Sequence, residues 1–210
     1  MCLDEFVLMY LLLVKKKVNR VTSEKKKLVL ASKSPRRIEL LKQFGLSFIC
    51  HPANIDENCI GIFPRYIPFL LAQMKADKVA DIYPDCFVLG VDTIISFNGE
   101  IIGKPKDIKH ALSILLCLSG KAHQVISGVS ISKKDENITC TFLDSSTVYF
   151  KKINERIITE YFSLINPLDK AGGYAIQEYG DMIIEKVDGS INNIVGLPTE
   201  KLMATLNALL

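Results

Sequence analysis

Apolar and polar positions along this chain switch repeatedly between a period of two and a period near 3.6. Leu28, Val29, Leu30 and Ala31 form a short apolar run that predicts a buried strand. Polar residues interrupt it at Ser32-Lys33-Ser34-Pro35-Arg36-Arg37, and Ile38, Leu40 and Leu41 then resume at helical spacing. Ser34 suits an N-cap, Pro35 suits N1, and Gly45 closes the helix at Phe44. Residues 47–50 read as a second strand, followed by the polar loop 51–58. A helix begins at Ile67 or Phe69 and runs to Ile82, bounded by Pro64, Pro68 and Pro84. Residues 86–92 are an apolar, β-branched run ending in an acid, which predicts a central strand with Asp92 at its edge. Residues 93–103 read as a hairpin around Asn98-Gly99. A helix at 107–118 ends in Ser119-Gly120-Lys121. Long strands at 123–132 and 139–151 join across the polar turn 133–137. A helix at 154–164 carries Asn154 as N-cap, 181–189 is a strand, and a closing helix from Thr199 follows Pro198. Helices and strands alternate early and hairpins dominate the middle. That order predicts an α/β fold with a mixed, partly antiparallel sheet, not a doubly wound parallel one.

Composition narrows the class. The 210 residues are 49% hydrophobic and 23% charged, enough for one large domain or two lobes sharing a sheet. The net charge of +3 is uneven. Residues 1–27 hold seven basic and three acidic residues, so the remainder, with 19 basic and 20 acidic, sits at −1. A body that near neutrality lacks the broad basic field of a duplex-binding protein. Phe6 to Val14 is apolar but too short to span a bilayer, so no transmembrane segment is expected. The charges flanking it reverse the order of a signal peptide. Residues 1–27 read as a leader, with 1–26 expected to be dispensable, ahead of a single domain at 28–210, and a membrane-surface anchor is the other reading. The six cysteines show no C-x-x-C spacing and read as reduced, mostly buried thiols in a cytoplasmic protein. His51, His110 and His123 lack zinc-binding spacing, and His123 reads as structural. Neither a G-x-S-x-G elbow nor a G-x-G-x-x-G loop occurs, which argues against hydrolase triads and dinucleotide binding.

Three stretches carry candidate chemistry. At the start of the first helix, free amides and the helix dipole favour an anion, with Ser32 and Ser34 as hydroxyl donors and Arg36 and Arg37 as forks for phosphate oxygens. The competing reading is a capping serine followed by two solvated arginines. In the second stretch, Asp92 suits a metal ligand or general base, or merely caps a turn. Thr93 offers a neighbouring hydroxyl, and Lys104, between Gly103 and Pro105, can set a point charge on phosphate. Glu57, beside Asp56 in the polar loop, is a second carboxylate; two carboxylates with substrate phosphates suit magnesium, whereas alone the loop reads as solvated. The third stretch, 167–198, contains Asp169 and Lys170 ahead of Gly172 and Gly173, which permit close backbone approach. Its Gln177 has the donor and acceptor needed to read a base edge, and residues 191–198 can wall a pocket.

The ordered set LVLASKSPRRIELL, IDEN, LGVDTIISFNGEIIGKPKD, LSGKAHQVISGV, LDKAGGYAIQEYG and GSINNIVGLP resembles the Maf family of nucleoside triphosphate pyrophosphatases, from about residue 28 to 205. The resemblance implies a two-lobed mixed sheet flanked by helices with a central cleft, similar to the inosine-triphosphate house-cleaning enzymes. It implies hydrolysis of a nucleoside triphosphate to monophosphate and pyrophosphate with a divalent cation, magnesium or else manganese, and a homodimer. The family's proton acceptor falls on Asp92, its metal ligands on Glu57 and Asp92, and its phosphate shell on Ser32, Ser34, Arg37, Lys75 and Lys104. Its specificity positions carry Arg36, Thr93 and Gln177, similar to the branch acting on dTTP and UTP. The branch acting on 7-methyl-GTP typically has Trp and Glu in place of that Arg and that Gln. Ala122, Ser127, Gly173, Ala175, Asp56 and Pro68 depart from the family's usual residues. The alternative function is a nucleotide-binding regulator of cell division, acting at septum formation with little or no catalysis.

Overall fold

The computed structural model describes residues 27–59 and 61–209. Apart from Lys27, the expected leader lies outside the described residues. Among the described residues, seven strands form one sheet: β1 (Leu28–Leu30), β2 (Phe48–Cys50), β3 (Phe87–Phe97), β4 (Glu100–Ile102), β5 (Ala122–Lys133), β6 (Ile138–Phe150) and β7 (Ile184–Asp188). The order is β2-β1-β3-β5-β6-β7, with β4 paired to the end of β3. β1 runs parallel to β2 and β3, and every other pairing is antiparallel, as the pattern predicts. The helices are α1 (Pro35–Gln43), α2 (Ile67–Ala80), α3 (Ile108–Leu118), α4 (Glu155–Leu164), α5 (Ile191–Val195) and α6 (Thr199–Leu209).

Most boundaries follow local chemistry. Asn154 caps α4 by accepting from Ile157 N at 3.1 Å, and Asp107 caps α3 by accepting from His110 N at 2.8 Å. Pro68 sits in the first turn of α2, where its missing N–H breaks no bond of the helix. Ser34 occupies the N-cap of α1 with extended backbone but makes no side-chain cap; its N–H donates to Ser32 Oγ at 3.2 Å instead.

Three expectations need correction. β3 does not end at Asp92 but continues unbroken to Phe97, because β5 pairs with it from Val88 to Ser96. Asp92 is therefore mid-strand, opposite Gly128. β7 begins only at Ile184, after a 3₁₀ turn at Gly180–Met182 entered through a left-handed Tyr179 (φ 54°). Only Cys86 of the described cysteines is buried; Cys50 and Cys117 are exposed, and Cys59 and Cys140 are half-buried.

Two apolar clusters share the long strands. Leu89, Val91, Val129 and Ile131 pack with Leu41, Leu197 and Leu202. Ile95 and Val125 join Leu115, Leu118, Phe150, Ile158 and Tyr161 in the other cluster. Asp92 and Thr93 on β3, and Ser127 and Gly128 on β5, lie between them. Polar side chains at this junction can face a cleft without breaking either core.

Glycine controls how closely α2 approaches. A Cβ on Gly90 would sit 2.1 Å from Ala72 O and 2.6 Å from Ala76 N. One on Gly128 would sit 2.0 Å from Pro68 O. Gly90, Asp92 and the Gly128 opposite share a sheet face by strand alternation. The helix therefore lies almost directly on the strands, and Lys75 of α2 reaches Asp92.

Candidate active site

Side chains on β3 alternate, so Asp92 turns toward α2 and Thr93 turns toward α1 and α5. Each organises a separate polar group.

On the first face, Lys75 Nζ lies 2.7 Å from Asp92 Oδ1 and 2.8 Å from Glu57 Oε1. Lys75 and Asp92 are each only 8% exposed, whereas the Glu57 side chain is 58% exposed. A buried ammonium thus holds two carboxylates from different parts of the chain. Asp56 Oδ1 accepts from Asn58 N at 3.0 Å, a local turn that shapes the loop carrying Glu57. The Cys59 thiol lies close by and is pushed up, by burial first and then by the charges of Asp92, Glu57 and Asp56.

On the second face, Arg37 is the hub. Its Nε donates to Gly196 O at 2.9 Å, Nη1 to Ser32 Oγ at 3.2 Å, and Nη2 to Thr93 Oγ1 at 3.1 Å. Burial lowers the pKa of this guanidinium from its usual value, and the neighbouring Asp92 and Glu57 charges oppose the shift. Thr93 Oγ1 also lies 2.9 Å from Ser127 Oγ and 3.3 Å from Gly196 O. Ser127 Oγ donates to Asn193 O at 3.3 Å, and Asn193 Nδ2 donates to Val125 O and Ser146 Oγ, both at 3.0 Å. Asn193 is fully buried, so this network fixes α5 against β5 and β6. Neither Asn193 nor the coupling role of Ser127 was apparent in the sequence, because both depend on strand register.

Two cavities join around Thr93, Ile94, Lys104 and Ala171. One, of about 250 Å³, is lined by Ser34, Arg36, Arg37 and Thr93 together with Lys170, Tyr174 and Gln177. The second, of about 630 Å³, is lined by Glu57, Cys59 and Asp92 with apolar Ile67, Leu71, Ile101 and Ile102. Lys104 is exposed and lines both cavities. It is placed near the 167–178 segment by the Gly172 N–H, which donates to Gly103 O at 3.0 Å. Gly172 has φ 71°, which favours glycine, and a Cβ there would also press 2.7 Å from Ile95 Cδ1.

The structure thus brings Ser34, Arg36, Arg37, Thr93, Lys104 and Gln177 to one cavity, and Glu57 and Asp92 to its neighbour. Ser32 reaches the group through its bond to Arg37. Lys75 lines neither cavity, and its ammonium is engaged by the two carboxylates. His123 is buried and structural: Nε2 lies 2.6 Å from Tyr174 OH, and burial pushes its pKa down to about 4.

The donor set can be tested against a cation. Glu57 and Asp92 are hard oxygen donors, and Lys75 faces one oxygen of each. Among the described residues, no cluster of three or more His, Cys, Asp or Glu side chains is placed to hold a metal. Two carboxylates with the remaining positions left to water and phosphate suit magnesium or manganese; the lone Cys59 thiol nearby falls short of the nitrogen and sulfur set that zinc favours.

The fold and the chain can now be compared with known proteins. The Staphylococcus aureus Ham1 protein has a similar structure, with a TM-score of 0.52 over 87% of this chain and 98% of that one at 17% identity. That likeness defines the architecture. The model for Maf-like protein matches residues 27–209, and this chain belongs to that family. It is similar to the dTTP/UTP pyrophosphatase of Thermosipho africanus, at 46% identity over 83% of this chain and 89% of the relative. The dTTP/UTP pyrophosphatase of Dictyoglomus thermophilum is 40% identical over 88% of this chain and 97% of the relative. Among the described residues, no helix is long and apolar enough to cross a membrane.

Proposed function

We propose that this chain hydrolyses dTTP and UTP to the nucleoside monophosphate and pyrophosphate, in a nucleotide-pool sanitising role. The observation that carries the reading is the pairing of two joined cavities, one basic and one holding the Asp92–Glu57 pair. The names of the relatives supply the substrate. A cytoplasmic homodimer is part of the same reading.

The chain's own groups divide the work. Arg36, Arg37 and Lys104, with the amides at the start of α1, hold the phosphates and offset their charge. Stabilising charge that develops on the phosphoryl oxygens is the largest contribution such a site can make. Glu57 and Asp92 would hold the divalent cation, which when bound would add charge neutralisation and make its water more acidic. Asp92 takes the proton of the attacking water as the new P–O bond forms at the α-phosphorus and pyrophosphate leaves. Lys75 fixes the carboxylate in place for that transfer. Gln177, which lines the smaller cavity, hydrogen-bonds the pyrimidine edge. Thr93 acts on selectivity through Arg37 and Gly196, since its hydroxyl is already committed to them.

Pyrophosphate release by Asp92→Asn tests the assignment. Loss of a positioned general base costs about 100-fold or more. Turnover within a few-fold of the parent removes Asp92 from that role.

A further inference from the structure

Lys170 is buried at 5% exposure, and the chemistry described so far does not use it. It lines the smaller cavity near Gln177. A free ammonium there would be a natural phosphate or base ligand, but this one is already surrounded by oxygens. Its Nζ donates to Asn166 O at 3.1 Å and to Asp169 Oδ1 at 2.8 Å, and lies 3.2 Å from Glu178 Oε2. The first two partners precede Gln177 in the chain, and the third follows it directly. Asn166 in turn accepts from Leu168 N at 3.1 Å, and Gly173 N donates to Lys170 O at 3.1 Å, so the backbone around Lys170 is tied down as well. The hydrogen bond to Lys170 holds the Asp169 carboxyl below its usual range.

Gln177 needs such support. It is exposed, lies outside any helix or strand, and is followed by a left-handed Tyr179. An exposed amide on a turn discriminates between bases only if its backbone is held still. We infer that Lys170 is a positioning residue for base selectivity: it clamps Asn166, Asp169 and Glu178 together and so fixes where Gln177 presents its amide. The inference rests on the proposed pyrophosphatase activity and on base reading by Gln177.

Selectivity, rather than overall activity, separates this role from plain stabilisation. A purely structural lysine would lower turnover of every nucleotide alike. The full chain would be assayed for pyrophosphate release from UTP, dTTP, CTP and GTP with magnesium, for the parent, Lys170→Met, Glu178→Gln, Gln177→Ala and the Lys170→Met/Gln177→Ala double variant. Lys170→Met should lower the ratio of kcat/KM for UTP over GTP by at least tenfold, approaching Gln177→Ala. Glu178→Gln, which removes only one of the two carboxylate charges on Lys170, should lower it about threefold and serves if Lys170→Met does not fold. The double variant should show no further loss, as expected for two residues acting on one contact. An unchanged ratio in Lys170→Met and Glu178→Gln, with Gln177→Ala still relaxed, overturns the positioning role alone. An unchanged ratio in Gln177→Ala overturns base reading by that residue, and the clamp with it. No pyrophosphate release by the parent overturns the underlying activity.

Discussion

Replacing Lys75 with methionine isolates the buried ion pair that holds the proposed proton acceptor. Methionine keeps most of the side-chain length and removes the charge. Lys75 and Asp92 are each 8% exposed and 2.7 Å apart, so the change leaves a carboxylate buried without its counter-ion. Breaking one partner of such a pair costs roughly 3–5 kcal/mol. Glu57 adds little, because an ion pair made by an exposed carboxylate contributes about 0–1 kcal/mol. For a domain of this size, each kcal/mol moves Tm by about 2–4 °C, so the expected fall is about 10 °C. Urea unfolding followed by circular dichroism measures the loss directly. Adding Asp92→Asn should recover much of the stability, giving a coupling of about 2 kcal/mol or more between the two positions. A Lys75→Met protein within about 1 kcal/mol of the parent would refute the structural reading. If its KM for the triphosphate also rose, Lys75 would return to the phosphate-binding role that its family position suggested.

Other perturbations probe separate parts of the account. His123 is held neutral down to a pKa of about 4, whereas in the unfolded chain it titrates near 6.5. Between those values the unfolded chain binds more protons, so stability should fall by about 3 kcal/mol as pH drops from 6.5 to 4. His123→Asn should flatten that slope in urea unfolding at pH 7.5, 6 and 5, and an unchanged slope would contradict the assignment. Gly128→Ala places a methyl group against Pro68 O and should cost roughly 3 kcal/mol by pushing α2 off the sheet; a cost below 1 kcal/mol would show that the helix moves freely. Arg37→Lys cannot reproduce a fork that spans Ser32, Thr93 and Gly196. It should lower kcat/KM at least about tenfold and, by leaving some of those acceptors unpaired, lower stability by about 1–3 kcal/mol, and unaltered kinetics would remove Arg37 from the site.

Local signals in the sequence predicted local structure. Asn98-Gly99 marks the β3–β4 turn, where both residues have positive φ, and Asn154 caps α4 as read. Pro35, Pro68 and Pro198 each mark a helix start. Signals that depend on distant pairing were not legible. The acid at Asp92 looked like a strand end, yet β-branched residues at 93–95 carry the strand on once β5 lies alongside. Residues 191–198 showed a polar-to-apolar switch, but not the short α5 whose buried Asn193 ties it to β5 and β6. Lys170 showed in the sequence only as a residue ahead of Gly172 and Gly173, and its burial follows from Asp169 and Glu178 folding around it. Arg36, Arg37, Thr93 and Gln177, grouped in the sequence by the resemblance to the Maf family, line one cavity although 140 intervening positions separate the first from the last.

Pyrophosphate release from a panel of nucleoside triphosphates, with magnesium and with chelator, tests the central claim most directly. The account predicts metal-dependent turnover of dTTP and UTP, with GTP and 7-methyl-GTP spared and Asp92→Asn nearly silent. Absence of turnover across the panel with nucleotide still bound would contradict it and leave the cleft as a binding site.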